Sequence, residues 1–162
     1  MLIRTQRAVF AAAALAVVAS ALPVQIMSED AEIVRGLPAD MAQQLARGKE
    51  IYVATQRKDG SRSEAVPVWF GLMENAVWFT TSPGSHKAKR IAKGSPVFMS
   101  AESKDGPFVK MKAEIIKDGA KAEQLGAIYS KKYWIAWAGF FRPSRARNES
   151  GKTILLKLTP AP

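Results

Sequence analysis

The sequence predicts a small, mainly antiparallel β-barrel with added helices. Three observations point there. The chain has 162 residues, 48% of them apolar and 23% charged, which is one domain's worth of chain and too apolar for disorder. Short runs of β-formers recur from Glu50 onward, each bounded by a turn signal such as Asp59-Gly60 or Glu74-Asn75. Six such runs, with stretches of helical period inserted between pairs of them, suggest a small, mainly antiparallel barrel.

Residues 1–21 stand apart from that pattern. Arg4 and Arg7 form a short positive region, Ala8 to Val18 is an apolar run of 11 residues, and Ala19-Ser20-Ala21 puts small residues where a signal peptidase reads. The pattern predicts a secretory signal and an exported protein, periplasmic or extracellular. An uncleaved membrane anchor is the competing reading, because the apolar run extends to about Val24 and a span can be as short as about 17 residues. A buried N-terminal helix is a third. The two arginines are not adjacent, so the twin-arginine export signature is missing.

Residues 22–47 are polar and helix-compatible. Pro38 suits a first turn, Met41 and Leu45 share a face at i, i+4, and Gly48 stops the helix. The domain proper is expected over 48–162. Its strands are read as Glu50 to Gln56, Ala65 to Gly71, Ala76 to Thr81, Val97 to Ser100, Phe108 to Lys117 and Thr153 to Leu158. In the fifth, Val109, Met111, Ala113 and Ile115 alternate with Lys110, Lys112 and Glu114, so one face is packed and the other wet. Ser85 to Lys93 reads as a basic helix with Ser82 or Ser85 as N-cap. Ala120 to Phe141 reads as one long helix with Tyr133, Trp134 and Trp137 on a broad aromatic side, and Arg142 to Gly151 as an irregular basic loop.

Composition excludes several chemistries. There is no Cys, hence no disulfide framework, thiolate metal site or thiol nucleophile, and His86 is the single imidazole, so no multi-histidine metal centre is expected. No GxGxxG, P-loop or GxSxG occurs, and the carboxylates fall at turns and solvent faces. A chain with so little acid, base or nucleophile either binds something or takes its chemistry from a cofactor. The net charge of +10 favours an anionic partner. Thr80 to Arg90, TTSPGSHKAKR, localises it: hydroxyls, a glycine, then Lys87, Lys89 and Arg90 in the first turns of a helix are the donors of a phosphate site. The plainer reading of the same residues is a capped surface helix with a solvated basic face.

The order of these pieces resembles the FMN-binding split barrel of the pyridoxamine 5'-phosphate oxidase-like superfamily. The matching stretches are IYVATQRKDGSRSEAVPVWF, then VWFTTSPGSHKAKRIAKGSPVFMS, VKMKAEI and a closing TILLKLTP. The resemblance implies a homodimer with flavin at its interface. It implies that Val66, Pro67, Val68 and Trp69 lie against the flavin ring, largely through backbone groups. Thr80 and Thr81 would contact the ring or the ribityl chain, and Ser85, His86, Lys87 and Arg90 the phosphate. Val66, Val68 and Trp69 could equally be barrel core. At position 86 the oxidases proper tend to carry Arg, and their C-terminal substrate motif has no match here. The chain is thus closer to the general flavin and deazaflavin reductases, whose polyanionic deazaflavin tail would suit Lys87, Lys89, Arg90, Lys93 and also Lys110 and Lys112.

The expected function is an FMN-dependent oxidoreductase of unidentified substrate. A deazaflavin-dependent reductase is the alternative within the fold. A flavin or haem carrier is a non-enzymatic alternative, with His86 as its sole imidazole. Nucleic-acid binding is disfavoured by export. Trp134 and Trp137 read either as core or dimer contact or as a lid over the flavin, and Arg142, Arg145 and Arg147 either as a mobile loop or as a grip on an anionic substrate or tail.

Overall fold

A computed structural model of the chain describes residues 34–139 and 141–162. The signal segment expected at 1–21, the stretch up to residue 33, and the Trp137 side chain lie outside the described residues. Among the described residues four α-helices and seven strands follow in order: α1 (Ala39–Arg47), β1 (Glu50–Thr55), β2 (Val66–Trp69), β3 (Gly71–Met73), β4 (Ala76–Thr81), α2 (His86–Ala92), β5 (Val97–Ser100), β6 (Val109–Ile116), α3 (Gly119–Lys132), α4 (Arg145–Glu149) and β7 (Ile154–Pro160). A 3-10 helix, Trp134–Ala138, lies between α3 and α4. The strands form one sheet in the order β2-β1-β5-β6-β7-β4-β3, every pair antiparallel.

Its two ends belong to one stretch of chain. Val66 to Trp69 pairs with β1, Gly71 to Met73 pairs with β4, and Phe70 alone separates them. The single run expected at Ala65 to Gly71 is therefore two strands, because the chain bends at Phe70 to change partners and nearly closes the barrel. β3 then turns into β4 at Glu74 and Asn75, whose φ values of 54° and 57° make the tight hairpin that the sequence predicts.

The alternating pattern sorts the core. Ile51, Val53, Val77, Phe79, Val97, Met99, Met111, Leu156 and Leu158 fill the barrel, joined by Met41 and Leu45 of α1 and Ile91 of α2. On the outer face, α3 sets Ala122, Leu125 and Tyr129 against Met73, Ala76, Trp78 and Leu155. Gly71 permits that approach, since a Cβ there would meet Leu125 Cδ1 at 2.6 Å.

α3 ends earlier than expected. It stops at Lys132, and Tyr133 is extended at φ −123°, ψ 111°. The aromatic run is therefore not one helical stripe. Tyr133 leaves the helix to serve the bend: its hydroxyl accepts the Phe70 N–H at 2.9 Å and lies 2.8 and 2.7 Å from the Phe70 and Lys49 carbonyls. One turn earlier, the Tyr129 hydroxyl donates to the Trp69 carbonyl at 2.5 Å. Burial pushes both phenols above their ordinary value, so both remain protonated donors. The basic loop expected at Arg142 to Gly151 contains α4, N-capped by the Ser144 hydroxyl accepting from the Arg147 N–H at 3.3 Å.

Tyr133→Phe removes the hydroxyl that the Phe70 amide and the Phe70 and Lys49 carbonyls share, and leaves that buried amide unpaired. It should destabilise the fold by about 1–3 kcal/mol in urea unfolding, clearly more than an exposed control such as Lys117→Gln.

Candidate functional site

The bend at Phe70 decides where the sequence-predicted residues go. Val66 and Pro67 are exposed on β2, Val66 at 42%, while Val68 and Trp69 are half-buried. Thr80 and Thr81, half-buried, end β4. Val68, Trp69, Thr80 and Thr81 come together in the wall of one cleft of about 600 Å³. Trp69 is braced there by three rings: Tyr133 stacks on it at 4.4 Å and 5°, and Tyr129 and Phe141 meet it edge-on at 6.3 and 6.1 Å.

The other predicted residues sit next to that cleft, on α2, rather than in its lining. Ser85 is the N-cap, its hydroxyl accepting from Ala88 N–H at 3.1 Å, and it lies 3.4 Å from the Thr81 hydroxyl. Ser85 thus joins α2 to the cleft. Lys87 is partly buried with its ammonium 5.2 Å over the Phe79 ring, and burial pushes it down to about 8. It has no hydrogen bond or ion pair among the described residues. Arg90 donates to the buried Thr55 hydroxyl at 3.2 Å, whereas His86 is exposed.

Residues outside the set expected to hold the flavin complete the cleft, two of them, Arg142 and Arg147, offered by the sequence as a grip on an anionic substrate or tail. Ser82 and Tyr129 line it, as do Phe141, Arg142, Arg147, Lys152 and Thr153. Thr153 arrives because Ile154 pairs with Thr81 across the β4–β7 ladder, a neighbourhood visible only once the strand order is known. Arg145 does not line the cleft. It is engaged by Glu123 at 3.3 Å and Glu149 at 3.4 Å.

A planar, phosphate-bearing group fits this donor set. Hydroxyls of Thr80, Thr81 and Ser82 line the cleft beside its aromatic wall, and the neighbouring α2 carries a partly buried ammonium with no ion-pair partner among the described residues. No group of three or more potential metal ligands occurs among the described residues.

The architecture is similar to the split barrel expected from the sequence, and several solved structures share it. An F420 reductase structure matches at 21% identity and TM-score 0.52, over 78% of this chain and 97% of its own. A candidate pyridoxamine 5'-phosphate oxidase from Listeria innocua matches at 14% and 0.55, over 76% of this chain and 92% of its own. HutZ, a haem storage protein from Vibrio cholerae, matches at 12% and 0.55, over 76% and 89%. These similarities are of fold. No protein-family model matches the chain, and no curated protein matches it significantly.

Lys87 has a consequence for stability. With its folded pKa near 8 against 10.5 unfolded, folding must desolvate a charge at every pH below about 8, and that penalty disappears as pH rises toward 10.5. Lys87→Met should therefore stabilise the protein at pH 7, by up to about 3 kcal/mol. The gain should shrink between pH 8 and 10.5 in urea unfolding; a gain independent of pH would place the ammonium in solvent.

Proposed function

We propose that the protein is a flavin-dependent oxidoreductase that binds FMN, with a deazaflavin coenzyme as the alternative within the same fold. The carrying observation is that Val68, Trp69, Thr80 and Thr81 share one cleft wall and that Ser85 bonds Thr81 to the helix holding the unpaired Lys87. A bound flavin supplies hydride or electron transfer at its ring. The chain supplies the rest. β2 is an end strand of the sheet order, so one of its edges is unpaired among the described residues and offers backbone groups to the ring's polar rim. Trp69, held by Tyr133, Tyr129 and Phe141, gives that rim a fixed apolar wall and keeps water from it. Ser85, His86, Lys87 and Arg90 would hold the phosphate, with Lys87 supplying the desolvated charge.

Two further expectations belong to this reading. Val66 and Pro67, exposed on the unpaired edge, favour a homodimer whose interface covers the flavin. The pattern at 1–21 favours an exported protein. Among the described residues no helix is long and apolar enough to cross a membrane. A haem carrier has less to draw on, since His86 is exposed and outside the cleft lining.

The purified protein should show flavin absorbance bands or acquire them on titration with FMN or a deazaflavin. A chain that takes up neither overturns the reading. Lys87→Ala should weaken FMN binding by about 1–3 kcal/mol. Wild-type affinity should fall as pH rises past about 8, where Lys87 loses its proton, and Lys87→Arg should remove that dependence.

A further inference from the structure

The cleft beside Trp69 is lined by Arg142, Arg147 and Lys152 and by no acidic residue. None of the three has an ion-pair partner among the described residues, while Arg145 beside them is engaged by two glutamates. The nearby carboxylates thus serve the one arginine of this segment that does not line the cleft.

Two further observations point to a ligand in the same place. Thr153 Oγ1 is the one buried side-chain polar atom left without a hydrogen-bond partner among the described residues, and Thr153 lines this cleft. Leaving a buried hydroxyl unbonded costs about 1–3 kcal/mol. Phe141 holds φ at 61°, a left-handed conformation that is strained for an aromatic residue, and the residue is 72% exposed although its ring meets Trp69 edge-on. The strap that carries it is seated on α3: Gly126 has no side chain, and a Cβ there would run into the Pro143 carbonyl and lie 3.3 Å from Arg142 Nε. Strain, an orphaned hydroxyl and uncompensated charge therefore coincide in one cleft.

We propose that this cleft binds a planar aromatic carboxylate, its ring against the apolar wall that Trp69 and Phe141 form and its carboxylate on Arg142, Arg147 and Lys152. Guanidinium forks match the two oxygens of a carboxylate, and those two rings reward a flat apolar body. That this acid is the substrate rests on the flavin reading above; that the cleft binds it does not.

Calorimetric titration of the FMN-loaded full chain with 1-naphthoate and its neutral analogue 1-naphthamide tests the assignment. The acid should bind at least about tenfold more tightly than the amide, the discrimination expected of a charged hydrogen bond. Arg142→Gln and Arg147→Gln should each remove most of that preference while leaving FMN affinity within about twofold, and Arg145→Gln should leave both unchanged. Equal binding of acid and amide overturns the proposal. So does an Arg145→Gln effect as large as that of Arg147→Gln, which would mean general surface charge. Loss of FMN binding in the Arg142 and Arg147 variants, or competition between FMN and the acid, also overturns it by giving the cluster to the cofactor. If the chain takes up no flavin yet binds the acid with the same arginine dependence, the subsite stands and the flavin reading falls.

Discussion

The Tyr133 hydroxyl, bonded to the Phe70 amide and lying within hydrogen-bond distance of the Phe70 and Lys49 carbonyls, holds the point where one strand leaves β1 and joins β4. Nearly closing a barrel of this size through a single residue strips Phe70 of its ladder partners, and an unpaired buried amide is costly. The last turn of α3 makes up for this from outside the sheet. Tyr129 bonds the Trp69 carbonyl, and the Lys132 ammonium lies 3.2 Å over the Phe70 ring. Barrel closure, helix packing and the end of α3 are thus one arrangement.

The same arrangement positions the cleft. Tyr133 both bonds the bend and stacks on Trp69, so the ring forming the cleft wall is fixed by the group that nearly closes the barrel. Side chains at some cost to the fold lie in the cleft, Thr153 with an unbonded hydroxyl and Phe141 in a strained backbone, and Lys87 is partly buried on the neighbouring α2 without an ion-pair partner among the described residues. A protein selected for stability alone would relieve each of these, and their grouping around one cleft is what a binding site leaves behind.

Much of the fold was legible in residue order because the signals were local. Ser85 caps α2, Glu74 and Asn75 turn β3 into β4, and Val109, Met111, Ala113 and Ile115 of β6 pack on the core as their spacing predicts. The failures share a cause. Tyr133 and Trp134 have helical spacing with the residues before them, yet α3 ends because the Tyr133 hydroxyl is needed some sixty residues away at Phe70, and tertiary hydrogen bonds outweigh propensity. Val66 reads as core by composition and is exposed because its strand lies at the end of the sheet order. For the site, Thr80 and Thr81 were visible as hydroxyls at a strand end, and Val68 and Trp69 only through the family resemblance. Lys152 and Thr153 were not, since only the β4–β7 pairing brings them there.

The central claim is that β2 and the end of β4 cradle a flavin whose phosphate rests on α2. A crystal structure of the FMN-loaded protein tests it most directly. The account predicts the ring along Val66 to Trp69 and the phosphate within hydrogen-bond reach of Ser85, Lys87 and Arg90. A phosphate seated on Arg142, Arg147 and Lys152, or a ring bound away from β2, would contradict it.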